Sequence, residues 1–584
     1  MKFLRNLVAS ILGSFIALGL IFILFLLFAV SLSESEETVV KKNTVLVIEL
    51  DKIVKDFAPK SDDPFDEIFG ANNKKMGLNE ILNAIENAKY DSNIEGISIH
   101  TLGVNAGIAQ TQAIRNKIEE FQETGKFVKA YADIYDQKAY YLASVADSVF
   151  LNPVGEIEFK GLSSEVLFYK NLQDKTGVKM EVIRHGKYKS AVEPFLANEM
   201  SDNNREQISS FLNAIWGEMV TEIAESRDKT SSELNKIADG LLSRNAKLAI
   251  ENKMVDEAIY FDTYEEKLKL AAGVPLKSKL RTIKLQDYIS TGKGRVVNTA
   301  SNRIAVIYAQ GEIIYGKGNE DVIGQELIIN ALRKARSSNS VKAIVLRVNS
   351  PGGSALTSEL IWREIELTKE KLPVVVSMGN VAASGGYYIA CNAHKIIAEP
   401  TTITGSIGVF GVIPNISKLA ENIGVNAEQV KTNKGPDYSG FEPMTHAFRT
   451  VTQEGVEFVY TTFVNRVAAG RNMTVEEVDN IAQGRVWSGI EAKKVGLVDE
   501  LGGLKDAVIE AAGLAGITDY RIRNYPSYKI DFEERFSDFP FAATKEELLI
   551  EEFGEENYKL YQTLKQFSKI SGVQARLPYV IDIH

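Results

Sequence analysis

The stretch NVAASGGYYIACNAHKIIAEP, Asn380 to Pro400, sets Ser384 between small residues and two glycines. A serine so placed becomes a nucleophile when a neighbouring group takes its proton. The chain has five histidines, His100, His185, His394, His446 and His584, none in a recognisable triad motif, and G-x-S-x-G is absent around Ser384. A lysine can serve instead if its ammonium is desolvated enough to deprotonate near neutral pH. Taken alone, ASGG reads as a tight turn. An internal repeat changes that reading.

AYYLASVADSVFLNP, ending at Pro153, matches GYYIACNAHKIIAEP, ending at Pro400, at an offset of 400 − 153 = 247. The same offset pairs Asn83 and Ala84 with Asn330 and Ala331, and Ile97 with Ile344. Towards the ends the register drifts, as where VLVIELDKIV from Val45 resembles IAVIYAQGEII from Ile304. A tandem duplication is expected, joined around residues 282–302. Ser384 then corresponds to Gln137, Gly385 to Lys138, and SPGG (Ser350 to Gly353) to GVNA (Gly103 to Ala106), so the first copy lacks the serine and both glycine turns. Downstream, VIRHGKYKSAVEPF (Val182 to Phe195) faces QVKTNKGPDYSGFEPM (Gln429 to Met444), which sets Lys189 opposite Tyr438. One site divided between two decayed copies is the economical reading, with Ser384 from the second and Lys189 from the first. Glu193, four residues beyond Lys189, would hold the amine charged if it pointed inward, and is expected to face another partner or a helix end.

The elements that must position these residues follow from periodicity. Short β-branched runs (AIVLRVN from Ala343, PVVVSMG from Pro373, KIIAEP from Lys395) alternate with amphipathic stretches such as Ser354 to Leu372. This is the pattern of βαβ units and parallel strands. NSPGG and MGNVAASGG both fall where a strand ends and a helix opens, where α/β folds place their sites. Tyr140, Tyr141, Tyr387 and Tyr388 are expected in the core, since both copies keep them whatever the chemistry. Cys391 is expected to be a buried, unreactive thiol.

The 584 residues require at least two cores. A net charge of -10 argues against a nucleic-acid partner, which would need clustered cations. Lys2 and Arg5 precede an uncharged apolar run from Leu7 to about Leu32, flanked beyond by Glu34, Glu36 and Glu37. About 20 residues cross the hydrocarbon, and FAVSLSES offers no clear cleavage site, so residues 1–33 read as an uncleaved transmembrane helix. The charge asymmetry sends the rest of the chain to the extracytoplasmic side.

NSPGG, MGNVAASGGYYIA, TGSIGV (Thr404 to Val409) and GKYKSAVEPF together resemble the long, duplicated form of bacterial signal peptide peptidase A, also called protease IV, over roughly residues 45 to 515 and the anchor. The resemblance implies an α/β fold of tandem crotonase-like domains related to the Clp protease subunit, here 40–285 and 300–520; beyond it, the helix-like spacing and mixed charge of KEELLIEEFGEENYKLYQTLKQFSKI predict a C-terminal helical extension over 521–584. The resemblance implies a Ser–Lys dyad with Ser384 as nucleophile and Lys189 as general base. Ser406 matches the serine that hydrogen-bonds the lysine, and Gly385 with Gly352 or Gly353 matches the oxyanion hole. The substrates implied are cleaved signal peptides left in the membrane. A single-pass protein of the bacterial inner membrane is expected, with no cofactor or metal. It would be a homo-oligomer, such as a tetramer, and tandem joining favours a dyad within one chain. A crotonase-type acyl-CoA enzyme or a non-catalytic membrane scaffold are the alternatives; neither would need a serine paired with a lysine.

Overall fold

The computed structural model describes residues 5–6, 10–21, 24, 39–59, 75–295, 298–528 and 574–576. Residues 5–6, 10–21 and 24 of the expected anchor are helical, and the rest of it lies outside the described residues. Among the described residues no helix is long and apolar enough to cross a membrane.

Two sheets of mainly parallel strands carry the two halves. The first runs Glu257–Ala258, Ser148–Ile157, Phe127–Tyr135, Ile94–Ile99, Thr44–Ile48, Arg281–Lys284. The second runs Val486–Ser488, Ile403–Gly405, Val374–Ala383, Val341–Ser350, Arg303–Gln310, Arg521–Tyr525, with Lys395–Ala398 beside Val374–Ala383. Strands covered on both faces read as continuous apolar runs, which is why AIVLRVN and PVVVSMG form the centre. Helix Leu78–Tyr90 recurs as Gln325–Ser337 (325 − 78 = 247) and Ile108–Gln122 as Ala355–Lys369 (355 − 108 = 247). Phe261–Ala271 recurs as Leu504–Leu514 at 504 − 261 = 243. The duplication is thus carried by whole elements.

A third sheet joins the halves. Its order is Val322–Gly324, Glu312–Ile314, Gly352–Ser354, Gln574–Arg576, Val409–Asn415, Lys179–His185. Lys179–His185 of the first half pairs antiparallel with Val409–Asn415 of the second, from Lys179↔Asn415 to His185↔Val409. Of residues 521–584, Arg521–Tyr525 and Gln574–Arg576 are strands, residues 526–528 have no regular structure, and the stretch expected to be helical lies outside the described residues.

Buried polar contacts hold the halves in register. The Arg347 Nε bonds Asp56 Oδ2 at 3.2 Å, and Gln110 Nε2 donates to Asp56 Oδ1 at 2.9 Å. Asn380, on the strand that leads to Ser384, accepts at 3.0 Å from the backbone N–H of Gln110 in the first turn of helix Ile108–Gln122. Leaving either charge of the Asp56–Arg347 pair alone in the interior would cost several kcal/mol, so the pair resists sliding of one half on the other.

Candidate active site

Strand Val374–Ala383 delivers Ser384 at its C-terminal end, immediately before helix Gly385–Ala390. Ser384 has φ 55 and ψ −116, an unusual conformation for a residue with a side chain, and it is held there because its N–H donates to Gly405 O at 2.8 Å. Gly386 must lack a side chain, since a Cβ there would lie 2.6 Å from Ser350 O.

Lys189 follows strand Lys179–His185 and opens the turn Ser190–Val192. Its Nζ lies 3.0 Å from Ser384 Oγ, 3.0 Å from Ser406 Oγ and 3.1 Å from Ser406 O. Ser406 has φ 51 and follows Gly405 at φ 77, a backward turn that aims both Ser406 oxygens at the amine. The lysine is fully buried, above the ring of Phe410 at 5.9 Å. Burial pushes its pKa well below the ordinary 10.5. Glu193 accepts from Asn204 Nδ2 at 2.7 Å and stands at the start of a short helix, as expected. An amine in this state has two N–H groups for the Ser406 oxygens and a lone pair free to accept the Ser384 hydroxyl proton.

Gly352 (φ 99) and Gly353 (φ 153) border the same place. A Cβ on Gly352 would meet Gly385 N at 2.7 Å, and one on Gly353 would meet Ile313 O at 2.0 Å. The Gly352 N–H donates to Ser350 Oγ at 3.2 Å. All six residues expected from the sequence therefore converge on one locus.

The histidines lie elsewhere. His185 pairs with Glu457 at 2.5 Å and stacks on Tyr460, His394 accepts the Val374 N–H, and His100 stacks on Phe261. His446 contacts Thr450, and His584 lies outside the described residues. Among the described residues no group of His, Cys, Asp and Glu could hold a metal ion. In the first half, Gln137 bonds the Gly161 O, the Lys160 N–H and the Gly161 N–H, and Lys138 Nζ donates to Ala106 O, so the corresponding position is filled by its own side chains. Tyr140 and Tyr387 are buried and both anchor to backbone carbonyls, Met254 O and Leu497 O. Cys391 is buried, its thiol pushed up to about 12 by desolvation.

Sequence reasoning missed the supports of Lys189. A Cβ on Gly484 would meet Lys189 N at 2.6 Å, one on Gly408 would meet Lys189 Cδ at 3.1 Å, and one on Gly186 would meet Gln483 O at 2.5 Å. These glycines work by what they lack, and a single sequence carries no sign of that.

The chain matches the family model described as Peptidase family S49 over residues 120–275 and 366–518, and the Clp protease model over 295–409. It is 35% identical over 529 residues to Protease 4 of Haemophilus influenzae, covering 88% of this chain and 85% of that protein. Protease 4 of Salmonella typhi is 38% identical over 472 residues, covering 79% and 76% respectively. Serine protease SPPA, chloroplastic, of Arabidopsis thaliana is 33% identical over 459 residues, covering 77% and 68%.

Proposed function

The chain belongs to peptidase family S49 and is a serine peptidase with a Clp-protease-like α/β fold, and from that premise we propose that Ser384 and Lys189 form its catalytic dyad. Lys189 takes the Ser384 proton as Oγ attacks the scissile carbonyl. The ammonium formed is held by the two Ser406 oxygens and returns the proton to the leaving amine. A water then attacks the ester by the same route. The developing oxyanion sits against the N–H groups of Gly385 and Gly353; Gly352 is the weaker candidate because its N–H already serves Ser350.

The observation that carries this reading is the 3.0 Å contact between Lys189 Nζ and Ser384 Oγ in a buried setting where, among the described residues, no carboxylate pairs with the amine. The halves divide the labour: 40–285 supplies the base and 300–520 the nucleophile. We further assign residues 1–33 as a membrane anchor, on the strength of the apolar run Leu7 to Leu32, and place the catalytic part on the extracytoplasmic side. Remnant signal peptides and other apolar peptides are then the substrates, met by a homo-oligomer at the bacterial inner membrane.

The test is peptide hydrolysis by the full chain in detergent, beside Ser384→Ala and Lys189→Ala, with thermal melts to establish folding. Both folded variants are expected to be inactive. Full activity in folded Lys189→Ala would overturn the dyad.

A further inference from the structure

A lysine places its amine at the end of a flexible stem, so its aim depends on how firmly the backbone beneath it is held. Strand Lys179–His185 ends before Lys189, and the turn Ser190–Val192 begins only after it. Both neighbours of Lys189 are instead gripped by one side chain. Gln207, fully buried in the second turn of helix Asp202–Ser226, donates from Nε2 to Tyr188 O at 3.1 Å and to Ser190 Oγ at 2.9 Å. The Ser190 hydroxyl donates in turn to Tyr188 O at 3.1 Å, which closes a ring of polar groups around the Lys189 backbone. Gln207 Nε2 also donates to Asn204 Oδ1 at 3.1 Å, and Asn204 is the residue that engages Glu193.

The other end of the amide reaches the second half. Gln207 Oε1 accepts the Val486 N–H at 3.2 Å. Val486 opens strand Val486–Ser488, which pairs antiparallel with Ile403–Gly405 through Gly405↔Val486. The preceding residue, Arg485, accepts the Ser406 N–H on its carbonyl oxygen at 2.6 Å. A primary amide has two N–H donors and one carbonyl oxygen in a plane, and here both ends are engaged away from water.

Resting on the proposed peptidase mechanism, we infer that Gln207 is a positioning residue for the reaction: it fixes the backbone of Lys189 against the strand that holds Ser406, and thereby aims the amine at Ser384 Oγ. Among the described residues Gln207 makes no hydrogen bond to Ser384, Gly353 or Gly385, so it acts through Lys189. Loss of a group that aligns the base is felt in the transition state and not in substrate binding, which places it in kcat. A loosened amine also admits water, and the desolvation that lowers its pKa weakens.

The experiment measures peptide hydrolysis across pH for the full chain in detergent, for Gln207→Met, which keeps the length of the side chain and loses its amide, and for Thr401→Val. Thr401 Oγ1 donates to Gln112 Oε1 at 2.8 Å, a buried contact between the halves that involves neither Lys189 nor Ser406. Ser384→Ala and thermal melts accompany each measurement. Gln207→Met is expected to lose about 10²-fold in kcat, with KM within about twofold of the parent and the acid limb of kcat/KM moved to higher pH. Thr401→Val should melt earlier with parent-like kcat and limb. If Gln207→Met fails to fold, Gln207→Glu decides: its kcat relative to the parent should fall as pH rises, because an ionised carboxylate has no hydrogen for Tyr188 O or Ser190 Oγ. Parent-like kcat in folded Gln207→Met, or a constant ratio for Gln207→Glu, overturns this inference and leaves the peptidase mechanism standing, provided that Ser384→Ala is inactive. A loss confined to KM, or one that Thr401→Val matches, overturns it too. An active Ser384→Ala overturns the mechanism instead.

Discussion

Gly484 lies directly against the backbone of Lys189: a Cβ built on Gly484 would come within 2.6 Å of Lys189 N and 2.7 Å of Lys189 Cα. The two residues come from different halves. Gly484 has φ 83, a backbone conformation that a side chain strains in any case, and its N–H donates to Ile407 O at 2.8 Å, next to Ser406. It sets how deeply Lys189 is seated.

Gly484→Ala is therefore expected to displace the amine from Ser384. Misplacement by about 1 Å costs roughly 10²-fold in rate. Steady-state kinetics should show the loss in kcat, with the fold retained by circular dichroism. Parent-like kcat would mean that the loop absorbs the methyl without moving Lys189.

The activity should depend on pH through Lys189. A protonated amine cannot accept the Ser384 proton, so kcat/KM should rise with pH along a limb whose midpoint lies well below 10.5. Between that midpoint and 10.5 the unfolded chain holds a proton that the folded chain does not, so stability should also rise with pH. Melting curves of the parent and Lys189→Met across this window should diverge as pH falls, the parent losing ground. A limb near 10.5 would show that the amine is not desolvated in solution.

Ser406→Ala removes one of the two oxygens beside the amine and leaves Ser406 O in place. The ammonium loses more than the neutral amine does, since hydrogen bonds to charged groups are the stronger. The acid limb should shift to lower pH while kcat falls about tenfold for want of orientation, consistent with ~1.4 kcal/mol per factor of ten. A limb moving upward would contradict the assignment of Ser406 as an acceptor.

Glu399, buried at the end of strand Lys395–Ala398, has its carboxyl pushed up to about 7 from 4.5 by desolvation, opposed by the Arg347 guanidinium. A raised carboxyl pKa gives stability that is complete below 4.5 and is lost as pH rises through about 7. Glu399→Gln should therefore gain on the parent with rising pH, to a plateau on the order of 3 kcal/mol at about 1.36 kcal/mol per pH unit. Denaturant titrations at about pH 5 and about pH 8, on either side of the shifted value, measure it. An equal difference at both would place the carboxylate in a solvated setting.

What was readable from the sequence was whatever the two copies did differently. Ser384 against Gln137, and Lys189 against Tyr438, stand out because the copies otherwise keep one register, and the expected βαβ alternation follows from runs such as AIVLRVN. The direction of Glu193 was also legible, since an inward carboxylate would have kept Lys189 charged. The glycines around Lys189 left no trace, because a missing Cβ has meaning only once its neighbours are in place. Strand Gln574–Arg576 was equally silent: three residues carry no periodicity, and their pairing partners lie in distant parts of the chain. The same holds for the link between Asp56 and Arg347, 291 residues apart.

The antiparallel pairing of Lys179–His185 with Val409–Asn415 bears on how the protein is made. Lys189 leaves the ribosome 195 residues before Ser384. On the proposed mechanism, a nascent or prematurely terminated chain holds a base without a nucleophile, and a fragment from the other side holds a nucleophile without a base. Hydrolysis switches on only when the two halves have docked through that ladder, so incomplete products of synthesis are harmless to the proteins around them.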